Sequence, residues 1–245
     1  MNQVLRLVTS GEFLGKGALL VVFTGIAGLK SLSITARIAS WGQAAGAEKY
    51  IDLAADLAGL GFLILLLLLT LTRLNPKQTA AGWEPRVSAL LGSFLSFSLV
   101  ALPPAEFGPA WRAAGVVLIA VGSALSIYVL ARLGRSFSIV PQARRLVTTG
   151  PYAMVRHPLY LCEEIAIIGV VLLHLSPLAI LIGATQWIFQ LRRMANEERL
   201  LSASFPEYAA YAARTPRVIP RLRQGLDDAS HGGERSLSTA TGTRA

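Results

Sequence analysis

The sequence predicts an all-α protein, a polytopic membrane helix bundle of five to six spans. Three observations predict it. Hydrophobic residues make up 53% of the chain and charged residues only 15%, a balance beyond that of an ordinary soluble domain. The apolar residues gather into runs that approach the ~20 residues needed to cross a bilayer. Arginine and lysine sit between those runs, where membrane proteins hold their charge. The chain of 245 residues with net charge +9 fits one compact bundle. Its basic residues lie beside apolar segments, so cytoplasmic retention and anionic lipid account for them, and no nucleic-acid partner is expected. Cys162 is the single cysteine, so no internal disulfide can form and the redox compartment stays open.

The elements follow in order. Residues 1–16 are a short lead with Arg6 and Lys16. Gly17–Leu29 is apolar and could extend to about Ile38 as a signal anchor, although Lys30 interrupts it. Ala54–Leu71 is the strongest span. Val87–Leu102 is a third, ended by Pro103-Pro104. Trp111 marks an interface, and Ala113–Leu130 is a fourth. Leu159–Leu175 and Leu178–Leu191 are short, and the turn at His174-Leu175-Ser176-Pro177 would join them as a tilted hairpin. Lys16, the Arg73–Arg86 loop, the Arg132–Arg156 loop and the C-terminal tail all carry the positive charge that favours the cytoplasm. Six alternating spans then put both termini inside. With the first span only peripheral, five remain and the N-terminus flips.

Beyond Leu191 the run Arg192-Arg193-Met194-Ala195-Asn196-Glu197-Glu198 reads as a helix emerging from the membrane. Phosphate-loop and dinucleotide fingerprints are absent. Gly11–Gly17 has one spacer too few and no Ser or Thr after its lysine, and Gly59-Leu60-Gly61 lacks a third glycine. The three histidines and one cysteine show no metal-ligand spacing, so no metal is expected.

The polar stretch 142–160 carries the chemistry. Gly150-Pro151 and His157-Pro158 punctuate the backbone, and Pro158 is placed to open the next helix. Arg156 and His157 then sit at the membrane face, with Tyr152 and Tyr160 close by. Such donors and π-faces suit a polar, partly cationic ligand. Arg193 and Glu197 are four apart and share a helical face, as a surface ion pair or as part of a site. Glu198 lies ~100° further round, so one glutamate can face inward and the other solvent. A carboxylate held at the membrane surface is often functional. Cys162 reads as structural, because no base is placed near it.

These residues carry a family likeness. Leu133-Gly134-Arg135-Ser136-Phe137-Ser138, Gln142, Leu146–Tyr152, Arg156-His157-Pro158-Leu159-Tyr160, and Glu197-Glu198 with Phe205-Pro206-Glu207-Tyr208 resemble the isoprenylcysteine carboxyl methyltransferases, which belong with other integral-membrane phospholipid-type methyltransferases. The likeness covers about residues 87–221. It implies a cytoplasm-facing pocket for S-adenosylmethionine, contacted by Gln142, Leu146, Val147, Tyr152, His157, Pro158, Leu159, Tyr160 and Glu197. It implies Arg193 beside the acceptor, which would be lipid-like or prenylated. It divides the chain into N-terminal membrane helices (1–86), a methyltransferase-like core with a cytoplasmic C-terminal segment (87–223) and a disordered tail (224–245). The family often has glycine where Cys162 stands, so close helix packing at that point is open.

A membrane sterol or lipid reductase using NADPH is the alternative. Those enzymes share the Arg-His-Pro-x-Tyr loop but usually have Asn where Leu159 stands. A non-enzymatic membrane binding protein is a third reading. The acceptor and the oligomeric state are not legible in the sequence.

Overall fold

The structure is a computed structural model and describes residues 2–42 and 48–220. The tail expected to be disordered from residue 224 lies outside the described residues. Helices α1 (Asn2–Ala39), α2 (Glu48–Thr72), α3 (Glu84–Phe94) and α4 (Pro109–Leu133) form the first half. The short α5 (Pro151–Met154), then α6 (Pro158–Leu173), α7 (Pro177–Ser204) and α8 (Tyr208–Arg214) form the second. The two-residue strands β1 (Gln78–Thr79) and β2 (Gln142–Ala143) pair antiparallel, Gln78 opposite Ala143 and Thr79 opposite Gln142.

Among the described residues, three helical stretches are long and apolar enough to cross a membrane: Gly15–Ala39, Lys49–Thr72 and Pro109–Ser136. The protein is an integral membrane protein built mostly of helix. The first stretch runs through Lys30 without a break. Lys30 Nζ meets Asp56 Oδ1 of α2 at 2.6 Å, and Arg37 reaches both Asp52 and Asp56 at 2.9 Å. Arg112 of α4 closes the cluster on Asp52. A charge inside an apolar helix is tolerated when its partner lies on the neighbouring helix. These pairs set the register of α1 and α2 against α4.

The expected span Val87–Leu102 is two pieces. Regular α3 ends at Phe94, and a tighter 3₁₀ turn continues through Leu95–Ala101. Ser98 Oγ bonds the Leu95 carbonyl at 2.7 Å inside that turn.

Helices α4 and α6 approach most closely. A Cβ at Gly122 would lie 2.5 Å from the Ala166 backbone nitrogen and 2.8 Å from the Cys162 carbonyl oxygen. A Cβ at Gly169 would lie 2.5 Å from the Gly115 carbonyl oxygen. Close packing at Cys162 is therefore kept, with the glycine supplied by the facing helix. Cys162 itself is buried and free.

Helix α7 packs on α3 through polar groups. Gln186 donates to the Gly92 carbonyl at 2.8 Å, Arg193 to Ser93 Oγ at 2.9 Å, and Asn196 to Ser88 Oγ at 3.1 Å and Glu84 at 3.0 Å. This ladder fixes the rotation of α7, and with it the face that Glu197 presents.

Candidate functional site

Glycine and proline shape the loop between α4 and α6. Gly134 ends α4 at φ 57° and Gly150 precedes α5 at φ 64°, a conformation that a side chain disfavours. Pro151 and Pro158 stand in the first turns of α5 and α6, where their missing N–H costs nothing. His157 is thereby held just ahead of α6, and Leu159 and Tyr160 lie in its first turn. Across the loop runs the segment after α8. Arg156 N donates to the Pro216 carbonyl at 2.9 Å and His157 N to the Arg217 carbonyl at 3.1 Å.

These elements enclose an open cavity with about 840 Å³ of empty space when its mouth to solvent is included. Gln142, Leu146, Val147, Tyr152, His157, Leu159 and Tyr160 line it from the loop and α6, and Arg193 and Glu197 from α7. Of the ten residues singled out in the sequence, Pro158 alone is not on the wall, and it acts by starting α6.

Glu197 accepts the Tyr160 hydroxyl, and its Oε1 lies 3.6 Å from Arg193 Nε. The Arg193 guanidinium sits over the Tyr160 ring at 4.7 Å and is almost wholly buried. Its Nη1 binds Ser93 Oγ, and its Nη2 binds the Ser138 carbonyl at 3.3 Å. Arg193 and Glu197 thus form no isolated surface pair. His157 stacks on Tyr160, ring centres 5.4 Å apart.

Glu198 does not face solvent, as the helical rotation had allowed. It accepts from His157 Nε2 at 3.0 Å and pairs with Arg156 at 3.3 Å and Arg217 at 3.2 Å. Burial pushes its carboxyl up, but the His157 hydrogen bond and the charges of His157, Arg217 and Arg156 outweigh burial and hold it below its ordinary value. Burial, reinforced by Glu197, raises Tyr152 well above a normal phenol, so it stays protonated. Tyr211 donates to the Tyr152 carbonyl at 2.7 Å, tying α8 to α5.

Sequence reasoning did not find the Glu198 pairs and gave no individual role to the arginine partners Ser93 and Ser138 or to the cavity residues Ser136, Arg144 and Tyr208. One signal was available. Gln186, Gln190, Arg193 and Glu197 fall at i, i+4, i+7 and i+11, a polar stripe along one helical face. Gln186 and Gln190 are fully buried, and Gln190 donates to Glu163 of α6 at 3.0 Å.

Residues 111–208, from the start of α4 to the start of α8, match the family of phospholipid methyltransferases. Among curated proteins the chain is 33% identical over 113 residues to protein-S-isoprenylcysteine O-methyltransferase B of Arabidopsis thaliana, covering 43% of this chain and 57% of that protein. It is 29% identical over 144 residues to the protein-S-isoprenylcysteine O-methyltransferase of Rattus norvegicus, 55% of this chain and 51% of that protein. It is 42% identical over 82 residues to a nickel-cobalt-cadmium resistance protein of Alcaligenes xylosoxydans xylosoxydans, 33% of this chain and 38% of that protein. The matches thus span between about a third and just over half of these relatives' lengths. Among the described residues no group of three His, Cys, Asp or Glu is placed to hold a metal ion. The matched segment contains the whole 142–160 loop, α6 and α7, and so every singled-out site residue.

Proposed function

We propose that the protein is an integral-membrane methyltransferase that moves a methyl group from S-adenosylmethionine to a lipid-like acceptor. The observation that carries this reading is the convergence of nine singled-out residues on one cavity wall, within the phospholipid methyltransferase segment. The wall suits the cofactor. Leu133, Phe137, Leu146 and Val147 offer an apolar side for a planar base, while the Tyr160 ring and Glu197 suit a positively charged sulfur. S-adenosylmethionine, when bound, supplies an already activated methyl group.

The protein's part is then positioning and exclusion of water. Tyr160 and Arg193 hold Glu197 in place on the wall. Arg193 stands beside the acceptor. A carboxylate acceptor, as in isoprenylcysteine O-methylation, is ionised at neutral pH and needs no general base. Nη1 and Nη2 each give an N–H to Ser93 and Ser138, and the buried Arg193 Nε–H, which makes no hydrogen bond, is a donor open to orient it. An apolar acceptor enters between helices, and the polar cofactor arrives from water.

The reading places five to six spans in the bilayer, with α3 and its 3₁₀ continuation as the third crossing and α6 with the first half of α7 as a hairpin. The Arg132–Arg156 loop and the C-terminal segment then share the cytoplasmic side, and the cavity opens there. Purified protein incubated with methyl-labelled S-adenosylmethionine and membrane lipids, followed by mass spectrometry, tests the activity. A labelled lipid or prenylated product is expected. Binding of NADPH with none of S-adenosylmethionine would replace this reading with a reductase, and binding of neither with a non-enzymatic protein.

A further inference from the structure

The likeness in the sequence included Phe205-Pro206-Glu207-Tyr208 but gave Tyr208 no role. Tyr208 lies on the cavity wall and is 3% exposed. Its ring packs edge-on to Tyr211, centres 5.9 Å apart, in a cluster with Ala143, Leu200 and Phe205. A phenylalanine would fill that space equally well. The hydroxyl is buried and has no hydrogen-bond partner. Burying a donor without a partner costs free energy that phenylalanine would avoid. The hydroxyl therefore calls for a ligand that enters the cavity. Burial raises its pKa further than the opposing charge of Arg156 lowers it, so it remains a donor.

Arg156 lines the same cavity, and its Nε is also buried without a hydrogen-bond partner. Its Nη2 meets Glu198, and Nη1 reaches the Ala212 carbonyl at 3.4 Å. Glu198 is shared with Arg217, so two guanidinium groups surround one carboxylate before His157 is counted. The corner carries surplus positive charge and two unused donors. That is the chemistry of an anion seat.

We infer that Tyr208 and Arg156 form the seat for the α-carboxylate at the amino-acid end of S-adenosylmethionine. The inference rests on the proposed function. It assigns the remaining wall: the apolar side faces the base, Tyr160 and Glu197 face the sulfur, and the Tyr208–Arg156 corner takes the carboxylate. Tyr208 Oη–H and Arg156 Nε–H each donate one hydrogen bond to it.

The test uses the full-length protein in detergent and calorimetric titration with two thioethers. S-adenosylhomocysteine has the amino-acid end, and methylthioadenosine lacks it. Tyr208→Phe is expected to weaken S-adenosylhomocysteine binding by about tenfold or more, since a hydrogen bond to a charged group is lost. Methylthioadenosine affinity should stay at the wild-type value, and the melting temperature of the ligand-free protein should hold or rise, because the unpaired buried hydroxyl is gone. Arg156→Lys keeps a charge beside Glu198 but removes the Nε–H, and it should show the same selective loss. It carries the test if Tyr208→Phe fails to fold. Equal losses for both ligands, or no loss for either, overturn the assignment while leaving the cofactor reading intact. Failure of the wild-type protein to bind S-adenosylmethionine or S-adenosylhomocysteine would overturn the functional reading itself, and the seat with it.

Discussion

His157 Nε2 lies 3.0 Å from Glu198 Oε1, joining the first residue before α6 to the far end of α7. Arg217 holds the same carboxylate, so Glu198 fastens the segment after α8 across the 156–157 loop. The folded pKa of this carboxyl lies below its ordinary 4.5. A group depressed on folding stabilises above its unfolded pKa, and the benefit is lost as pH falls through the folded value. Glu198→Gln should cost about 1–2 kcal/mol at neutral pH, the scale of charge-assisted hydrogen bonds in a half-buried site. Melting temperatures of wild type and variant, measured against pH in detergent, should differ by a constant amount above the ordinary carboxyl value and converge as pH falls through the lower folded value. A difference that persists unchanged into acid would remove Glu198 as the fastener.

Gly122 offers a prediction about packing. A Cβ there falls 2.5 Å from backbone on α6, which cannot rotate away. Gly122→Ala should force α4 and α6 apart and cost about 1–3 kcal/mol, as overpacking does. Gly28 on α1 faces open space, and a Cβ there would meet nothing within 4 Å. Gly28→Ala should be neutral or stabilising by up to about 1 kcal/mol, because alanine favours helix. Thermal melts of the two variants check this. Equal effects would mean that α4 and α6 are not in close contact. Because α6 carries Leu159 and Tyr160, Gly122→Ala should also weaken cofactor binding.

How much of this was legible in the sequence differs by element. The long apolar runs and the helix start at Pro158 were readable, since hydropathy and proline act locally. So was the set of residues around the cavity, because the Arg-His-Pro-x-Tyr loop and the downstream Glu-Glu carry a family likeness. The 3₁₀ stretch after Phe94 was not, because an apolar run looks alike in either helical form. Lys30 read as an interruption, because its partner Asp56 lies on another helix and no local rule pairs them. Helical rotation alone allowed one of Glu197 and Glu198 to face solvent and did not show that Glu198 is tied down. Its three partners come from residues 156, 157 and 217, and only the folded chain brings these together. Ser93 and Ser138 were invisible as arginine partners for the same reason.

Tyr160 makes three contacts on the wall, and they can be separated. Its ring lies under Arg193 and against His157, and its hydroxyl binds Glu197. Tyr160→Phe keeps the ring and frees Glu197, so S-adenosylmethionine affinity should fall modestly, by about threefold to tenfold. Tyr160→Ala also removes the π-face and should weaken binding further, by about another 1 kcal/mol. His157→Ala should weaken binding as well, through loss of the stack and of the Glu198 contact. Calorimetric titration orders the series. Wild-type affinity in Tyr160→Ala and His157→Ala would move the cofactor elsewhere.

The last prediction separates cofactor from acceptor on one helical face. Glu197 is assigned to the cofactor, so Glu197→Ala should lower S-adenosylmethionine affinity by about tenfold or more and lower activity with it. Arg193 is assigned to the acceptor, so Arg193→Ala should change cofactor affinity by less than about threefold and reduce turnover or acceptor affinity. The structure adds an asymmetry in stability. Arg193 is 3% exposed and bonds Ser93 and Ser138 as well as facing Glu197, so its truncation should cost about 2–3 kcal/mol. Glu197 is partly open to the cavity, and its loss should cost about 1 kcal/mol or less. Arg193→Lys should recover only part of the function, because lysine cannot hold Ser93 and Ser138 and also offer a donor fixed at the Nε position. A simple ion pair predicts something else: either truncation removes the same contact and gives the same small loss. Cofactor affinity, methyl-transfer kinetics and melting temperature, measured for the three variants, decide between the two. A shared mild stability defect with unchanged kinetics would remove α7 from the site.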